Sequence, residues 1–359
     1  MSADLLARAM TATRVLDEAG RLLRGVETPD GAMLLDGYRR LILARRLNDQ
    51  AGALVRQGRL AVYPSSRGQE ACQIACATVL ADRDWLFPTY RDAAAICARG
   101  VDPVEVLTLL RGDWHCGYDP VEHRVAPQAT PLATQLLHAV GVAHAATLRG
   151  EDTVVMALCG DGATSEGDFH EACNFAAVFA APVVFFVQNN KYAISVPLAR
   201  QSVAPSLAAK AVGYGMPGIR VDGNDLAALN LVLGEAVARA RSGGGPSLIE
   251  ADTYRIEAHT NADDATRYRT DDEVAEWVAR DPLSRLRTYL TGVGVLDESQ
   301  EQEFAAQAEE MAAQIRAGVG AETSVNPDDL FAHVYTSLTP QLIEQRAALR
   351  NELTLEEAS

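Results

Sequence analysis

A glycine-rich turn between two apolar segments constrains the fold of this chain more than any other feature. Residues 153–159 are apolar and rich in β-branched side chains, which predicts a buried parallel strand. Gly160-Asp161-Gly162 follows, apolar residues then recur at helical spacing, and residues 183–187 predict a second strand after Pro182. The turn therefore ends a strand and opens a helix, a position where open α/β sheets bind ligands and helix N-termini accept phosphate.

Asp161 places a carboxylate where a bound diphosphate would lie. Two anions at that position repel each other unless a divalent cation lies between them. Asn190 follows the second predicted strand, so its side-chain oxygen is expected to reach the same cation. Together with phosphate oxygens, a backbone carbonyl just beyond Asn190 and a water molecule, these groups predict an octahedral magnesium site.

Two other interpretations of the turn remain open. A dinucleotide-binding fingerprint would have a third glycine at position 165 and an acidic residue about 20 residues further on. This chain has Ser165, and its second strand ends in Gln188-Asn189-Asn190. Gly-Asp-Gly also occurs as a simple turn that binds nothing. The asparagine pair at the end of the second strand favours the cation site over both alternatives.

The stretch from Gly160 to Glu166, taken with Asn189-Asn190, resembles the thiamine diphosphate motif. The run that continues as Gln188-Asn189-Asn190-Lys191-Tyr192-Ala193-Ile194-Ser195-Val196-Pro197 resembles the alpha subunit of the decarboxylating first component of 2-oxoacid dehydrogenase complexes. The likeness extends from about Arg45 to the C-terminus. It implies an α/β fold of the thiamine diphosphate-binding type, with thiamine diphosphate and Mg²⁺ as cofactors.

Charge balance and cysteine usage limit the partners and the compartment. The chain has 32 Lys and Arg against 48 Asp and Glu, a formal net charge of −16, which argues against nucleic acid and anionic membranes as partners. Its six cysteines lack Cys-x-x-Cys spacing, as expected for reduced thiols. No basic-then-apolar leader is visible at the N-terminus, and the longest apolar run, residues 175–187, is interrupted by Pro182. We therefore expect a soluble, cytoplasmic protein.

The order of the remaining segments predicts the architecture. Strand patterns near Gly218 and Ser247, separated by a helical pattern over residues 226–241, extend the alternation of strands and helices and predict a doubly wound, mostly parallel sheet. Helical patterns at both ends predict N- and C-terminal extensions. We predict an N-terminal helical arm over residues 1–60, a thiamine diphosphate-binding α/β domain over 61–280, and a C-terminal helical region over 281–359 that packs on the same domain or on a partner.

Several cofactor contacts are implied by the resemblance. Tyr90 and Arg91 lie at a loop–helix junction, where arginine can bind phosphate in a bidentate manner, although surface loop residues would give the same pattern. In the family a Tyr-Arg pair at this position contacts the diphosphate, and Arg255 matches another arginine that contacts it. Leu132 matches a position whose backbone holds the aminopyrimidine, although an ordinary helix start would give the same pattern. The predicted cofactor-binding residues are Tyr90, Arg91, Leu132, Gly160, Asp161, Gly162, Ala163, Asn190, Tyr192, Arg255 and His259, of which Asp161, Asn190 and, through its carbonyl, Tyr192 bind the metal.

Two histidines are the predicted catalytic residues. His259 lies in the polar loop after the strand near Ser247, at a strand end where functional loops concentrate, and matches a family histidine next to the thiazolium ring. His115 lies in the loop after Arg111 and matches a catalytic histidine of Gram-positive-type members. A lone histidine is more often structural, and a solvated charged loop would account equally for the composition of residues 254–269.

No glutamate of this chain can be identified as the activator of the aminopyrimidine. In the resembled family a separate beta subunit provides it, which implies an α₂β₂ heterotetramer that passes the acyl group to a lipoyl-bearing acyltransferase component. Residues 130–135 and 220–225 look closest to branched-chain members, whereas residues 112–115 and the loop after His259 also fit pyruvate members. We predict 3-methyl-2-oxobutanoate and its homologues as the 2-oxoacid substrates, with pyruvate as the alternative and a nicotinamide-dependent oxidoreductase as a more distant one.

Overall fold

The computed structural model describes residues 3–113, 115–320 and 326–357. One compact unit extends to Val319 and a second begins at Gly320. The predicted domain boundaries near residues 60 and 280 fall inside the first unit and stay predictions.

A parallel sheet forms the centre of the first unit. The strands are, in chain order, β1 (Trp85–Phe87), β2 (Val155–Gly160), β3 (Val183–Asn189), β4 (Tyr192–Ala193), β5 (Val196–Pro197), β6 (Gly218–Asp222) and β7 (Ser247–Asp252). Five of them pair in the order β1-β2-β3-β7-β6, all parallel, and β4 pairs with β5 in a separate antiparallel ribbon. The carboxyl ends of the five parallel strands therefore lie at one edge of the sheet.

Helices make up most of the remaining described structure. Their bounds are α1 Ala3–Met10, α2 Gly31–Arg56, α3 Glu70–Thr78, α4 Ala93–Ala98, α5 Pro103–Arg111, α6 Pro120–His123, α7 Thr134–Arg149, α8 Gly167–Val178, α9 Ala211–Tyr214, α10 Leu226–Arg241, α11 Asp271–Val278, α12 Pro282–Gly292, α13 Glu298–Val319, α14 Asp329–Ala332 and α15 Pro340–Glu357. Short 3₁₀ turns lie at Gly162–Ser165, Leu198–Arg200, Ala208–Lys210 and Ala265–Arg267.

Alternate residues of the central strands face opposite cores. Met156 and Val184 belong to a buried cluster that includes side chains of α2, α3 and α10. Val155 and Val183 belong to a second cluster with α7 and α8. Because successive side chains of a strand point to opposite faces, helices cover both faces of the parallel sheet. The predicted doubly wound, mostly parallel α/β fold is confirmed.

The sequence pattern indicated helical structure throughout the N-terminal segment, but the residues between α1 and α2 are not helical. Between α1 and α2 the chain is irregular, and Thr13 forms a parallel bridge with Val221 of β6. A carboxylate oxygen of Asp225 accepts hydrogen bonds from the backbone N–H groups of Val15 and Leu16, both at 2.7 Å. The segment therefore covers the edge of the sheet at β6. Pairing with an open strand edge outweighs local helical propensity here.

Helices also follow Pro282, within the region 281–359 that was predicted to be helical. The described helices of the second unit are α14 and α15. Pro340 opens α15, and a proline at a first helical position cannot continue a preceding helix. Within the part of the chain that the structure describes, no helix is long and apolar enough to cross a membrane.

Candidate functional site

A cavity of about 410 Å³ lies at the carboxyl edge of the sheet. Its wall is built by the residues that follow β1, β2, β3 and β7, together with the segment that opens α7. In open α/β sheets this edge is the usual ligand-binding position, because loops from several strands converge there. The cavity therefore lies where the glycine-rich turn was expected to bind its ligand.

Every residue predicted to bind the cofactor lines this cavity. The set is Tyr90, Arg91, Leu132, Gly160, Asp161, Gly162, Ala163, Asn190, Tyr192, Arg255 and His259. The fold thus brings together side chains that are far apart in the sequence, while the role of each stays a prediction.

Two glycines permit close backbone approaches around the cavity. A Cβ atom at Gly162 would lie 2.7 Å from the Cβ of Ala193, which is closer than two carbon atoms can pack. Gly68 has a φ of +94°, and a Cβ there would lie 2.1 Å from the carbonyl oxygen of Tyr254. Only glycine combines this left-handed conformation with the absence of a side chain. These contacts hold the β2 turn and the segment before α3 against their neighbouring loops.

Asp161 presents a buried carboxylate to the cavity. The side chain lies at the end of β2, is 1% exposed, and accepts a hydrogen bond of 3.0 Å from Nε2 of Gln201. Lys191 forms its ion pair with Asp252 instead. Burial raises the pKa of Asp161, although Gln201 and the charge of Lys191 oppose the rise. A carboxylate in this setting is stabilised by a cation in the cavity.

Two further oxygens at the same wall are suited to a hard cation. The amide of Asn190 donates through Nδ2 to Oε1 of Gln69 at 2.9 Å, and its Oδ1 accepts the N–H of Tyr192 at 3.3 Å. The carbonyl oxygen of Tyr192 is 3.3 Å from a guanidinium nitrogen of Arg255. Among the described residues no group of three His, Cys, Asp or Glu side chains forms a metal site. A metal here would therefore use one carboxylate with amide and carbonyl oxygens, the ligands that Mg²⁺ prefers.

Arg91 and Arg255 place two buried positive charges beside this oxygen set. Nη1 of Arg91 donates to the carbonyl of Ser65 at 2.8 Å, and Nη2 of Arg255 donates to the carbonyl of Ile194 and the hydroxyl of Tyr268 at 2.7 and 2.8 Å. All of these hydrogen-bond partners are neutral. Burial, reinforced by Arg91, lowers the pKa of Arg255. The pair is suited to an anion in the cavity.

His259 lies against both arginines. Its Nδ1 is 3.0 Å from Nη2 of Arg91 and 3.4 Å from Nη1 of Arg255, and its backbone N–H donates to Oδ2 of Asp263 at 2.7 Å. Burial, followed by the charges of the two arginines, lowers the pKa of His259 from 6.5 to about 4. Because guanidinium groups only donate, Nδ1 accepts and the proton of the neutral ring lies on Nε2. The ring can therefore exchange a proton at Nε2 with a ligand.

The structure does not bring His115 to this cavity. The residue is exposed on the loop after α5, and its Nδ1 accepts the N–H of Gly117 at 3.1 Å. It is not among the described residues of the cavity wall, and Trp114 beside it lies outside the described part of the chain. The catalytic role of His115 stays a prediction.

Sequence reasoning missed four polar residues around the site. Gln201 supports Asp161, while Gln69, Gln188 and Asp92 form hydrogen bonds that lead to Asn190. Gln188 directly precedes the asparagine pair, which is a signal that could have identified it. Gln69 lies in the stretch Gly68-Gln69-Glu70-Ala71, a landmark of the resembled family, and Asp92 directly follows the predicted Tyr90-Arg91 pair. Gln201 is distant in sequence from Asp161 and has no motif of its own. Burial raises the pKa of Asp92, although Thr89 and Gln188 oppose the rise through hydrogen bonds.

Comparison with known proteins gives consistent matches. Residues 38–335 match the family model described as Dehydrogenase E1 component. The chain is 50% identical over 316 residues to the 3-methyl-2-oxobutanoate dehydrogenase subunit alpha of Mycobacterium tuberculosis, which covers 88% of this chain and 86% of that protein. It is 41% identical over 293 residues to the pyruvate dehydrogenase E1 component subunit alpha of Staphylococcus aureus, which covers 81% of this chain and 79% of that protein.

Proposed function

The chain belongs to the dehydrogenase E1 component family, and we propose from this premise that it is the alpha subunit of a dehydrogenase for branched-chain 2-oxoacids. Family membership implies thiamine diphosphate as cofactor and a beta subunit as partner. The observation that carries the proposal is the single cavity that combines Asp161 and Asn190 with two arginines and His259. The higher identity to the relative named for 3-methyl-2-oxobutanoate supports the branched-chain preference.

The donor set of the cavity fits a diphosphate and Mg²⁺. We assign the diphosphate to Arg91 and Arg255, whose buried guanidinium groups have only neutral partners among the described residues. We assign the metal to the carboxylate of Asp161, Oδ1 of Asn190 and the carbonyl oxygen of Tyr192. When bound, thiamine diphosphate supplies the chemistry that releases CO₂ from a 2-oxoacid. The metal lets the carboxylate and the diphosphate share one cavity, since it offsets their mutual repulsion.

His259 is the group of this chain that we assign to proton transfer. Without an anion, burial and the charges of the two arginines keep its pKa at about 4, so the ring is neutral. An anion beside Arg91 and Arg255 offsets their charge and moves the pKa of His259 back toward its ordinary range. The ring then holds or releases a proton at Nε2 near neutral pH, as a general acid–base group requires. His115 keeps the catalytic role predicted for it only as a proposal from the family resemblance.

A partner subunit completes this proposed site. The described residues of the cavity wall include no glutamate, so the carboxyl group that activates the aminopyrimidine is assigned to the beta subunit. We propose an α₂β₂ heterotetramer with the cavity at the subunit interface. A lipoyl-bearing acyltransferase component is the proposed acceptor of the acyl group.

Pyruvate is the second candidate substrate, supported by the relative that is named as a pyruvate dehydrogenase. A nicotinamide-dependent oxidoreductase is more distant, since Ser165 replaces the third glycine of a dinucleotide fingerprint. The test is co-expression with a beta subunit followed by assays of 2-oxoacid decarboxylation with thiamine diphosphate and Mg²⁺. Activity that requires both cofactors supports the proposal. An assembly that binds NAD but not thiamine diphosphate, and decarboxylates no 2-oxoacid, would refute it.

A further inference from the structure

Four buried polar side chains form a continuous hydrogen-bonded chain that ends at Asn190. Gln188 donates through Nε2 to Oδ1 of Asp92 at 2.7 Å, and Gln69 donates through Nε2 to Oε1 of Gln188 at 2.9 Å. Asn190 then donates through Nδ2 to Oε1 of Gln69 at 2.9 Å. None of the four is more than 6% exposed, so bulk water does not compete for these bonds. We call these four residues the amide relay.

The carboxylate of Asp92 gives the relay its direction. In its ionised form Asp92 only accepts hydrogen bonds, and both of its oxygens have donors here. Its Oδ2 accepts the N–H and the hydroxyl of Thr89 at 2.7 and 2.6 Å, and that hydroxyl accepts the N–H of Arg91 at 3.1 Å. The Thr89 donors are therefore committed, and Oδ1 remains to orient the NH₂ group of Gln188. Each amide of the relay must then present its oxygen to the next residue.

We propose that Asp92 is a positioning residue that orients Asn190 for the cation through Gln188 and Gln69. The inference rests on the metal site given under Proposed function. With Nδ2 of Asn190 donating to Gln69, its Oδ1 is left for the metal, and the N–H of Tyr192 supports the same orientation from 3.3 Å. The opposite orientation would present N–H groups to a cation. The relay thus connects the segment after β1 to a proposed ligand after β3.

The substitution Asp92→Asn should reverse the direction of the hydrogen bonds in the amide relay, starting at position 92. The two donors of Thr89 will capture the oxygen of the new amide, which turns its NH₂ group toward Gln188. Gln188 then donates to Gln69, and Gln69 directs its own NH₂ group at Asn190. The result is either a flipped Asn190 or two opposed donors in a buried position, each of which is costly. Since disturbed supporting residues typically weaken metal binding about 10- to 100-fold, we expect a loss in that range.

A second substitution should restore the ligand. In Asp92→Asn, Gln69→Glu, the reversed Gln188 donates to one oxygen of the new carboxylate, and Nδ2 of Asn190 donates to the other. The acceptor-only group has moved along the relay, and the net charge is unchanged. In Gln69→Glu alone, the carboxylate of Asp92 and the new carboxylate at position 69 both require the single NH₂ group of Gln188. One of them is left without a donor, so this variant should have a lower unfolding temperature. Each single variant is impaired, and the double variant is expected to recover.

The matched control is Gln73→Glu combined with Asp92→Asn. Gln73 is also buried on α3, one turn after Gln69, but it donates to the carbonyl of Arg91 and is not part of the relay. A carboxylate at that position cannot orient Asn190, so the control should bind metal as weakly as Asp92→Asn alone.

The experiment measures the Kd of Mn²⁺ by electron paramagnetic resonance, with thiamine diphosphate present, on the alpha chain co-purified with its beta subunit. Thermal unfolding is recorded on the same samples. We expect a 10- to 100-fold higher Kd for Asp92→Asn and a Kd within about threefold of wild type for the double variant. An unchanged Kd in Asp92→Asn, or a double variant that does not recover, folded or not, overturns the relay. Failure of the wild-type assembly to bind Mn²⁺ at all would instead refute the proposed metal site.

Discussion

Nη2 of Arg91 lies 3.0 Å from the ring nitrogen Nδ1 of His259 and 3.1 Å from the carbonyl oxygen of the same residue. Because a guanidinium group does not lose its proton in proteins, it donates to both atoms and keeps Nδ1 an acceptor. Charge at the arginine and protonation of the ring are therefore coupled. An anion that offsets the charge of Arg91 also makes it easier for His259 to take up a proton.

We expect His259 to make the cofactor-free protein less stable at acidic pH. Its pKa in the folded chain is about 4, against an ordinary value of 6.5, so the unfolded chain binds more protons between these values. The free energy of unfolding must then fall as the pH is lowered from 6.5 to 4. His259→Gln removes this contribution, and its unfolding temperature should fall less than that of wild type over the interval. His138→Gln, at an exposed position on α7, is the matched control. Parallel pH profiles for wild type and His259→Gln would contradict the coupling.

His259→Ala should retain the cofactor but lose turnover. The diphosphate and metal contacts are assigned to other side chains, so the Kd of thiamine diphosphate should stay within a few-fold of wild type. The rate of 2-oxoacid decarboxylation by the assembly should fall by roughly 10²- to 10⁴-fold, the range for a general acid–base group. Near-native turnover would show that His259 is not the proton-transfer group and has a structural role instead. The same assay on His115→Ala decides the role predicted for that exposed residue.

Local patterns were sufficient for the central elements. Residues 153–159 and 183–187 predicted β2 and β3 because a buried parallel strand needs a short apolar run, and Gly160 and Pro182 mark where each run ends or begins. Asp161 and Asn190 were predicted from the motif at the ends of those strands, whereas Tyr90, Arg91, Leu132, Arg255 and His259 were predicted from the family resemblance. The strands and the turn between them depend on residues that are adjacent in the chain, and such local patterns can be recognised in the sequence.

Features that depend on distant parts of the chain were not predictable in the same way. Thr13 pairs with β6, a strand more than two hundred residues away, and nothing in its own segment indicates that edge. The amide relay likewise joins Asp92 and Gln69 to the end of β3 only after folding. The low pKa of His259 results from its burial and from two arginines that approach it from different segments of the chain. Each of these is a tertiary contact without a local pattern.

The alpha chain alone should be inactive. Its described cavity wall provides no glutamate to activate the aminopyrimidine, so the purified chain with thiamine diphosphate and Mg²⁺ should not decarboxylate 2-oxoacids. Addition of the beta subunit should restore activity and produce an α₂β₂ mass by light scattering. A solitary chain that turns over at the full rate of the assembly would refute the shared site.

Substrate preference can be tested on the reconstituted complex. The side chain of 3-methyl-2-oxobutanoate has two more carbons than that of pyruvate, and each buried CH₂ group contributes about 0.8 kcal/mol. An apolar pocket that accepts both carbons should favour the branched acid by roughly tenfold in kcat/KM. The measurement compares kcat/KM for the two acids with the lipoyl acceptor present. A tenfold or greater preference for pyruvate would overturn the branched-chain assignment.

The most direct test of the account is calorimetric titration of thiamine diphosphate into the alpha–beta assembly with and without Mg²⁺, for wild type and Asp161→Ala. Asp161 is the carboxylate assigned to the metal, so we expect Mg²⁺-dependent binding in wild type and none in the variant at the same concentrations. Glu171→Ala, at an exposed position on α8, is the matched control and should bind as wild type does. Near-native, Mg²⁺-dependent affinity in Asp161→Ala would contradict the central claim.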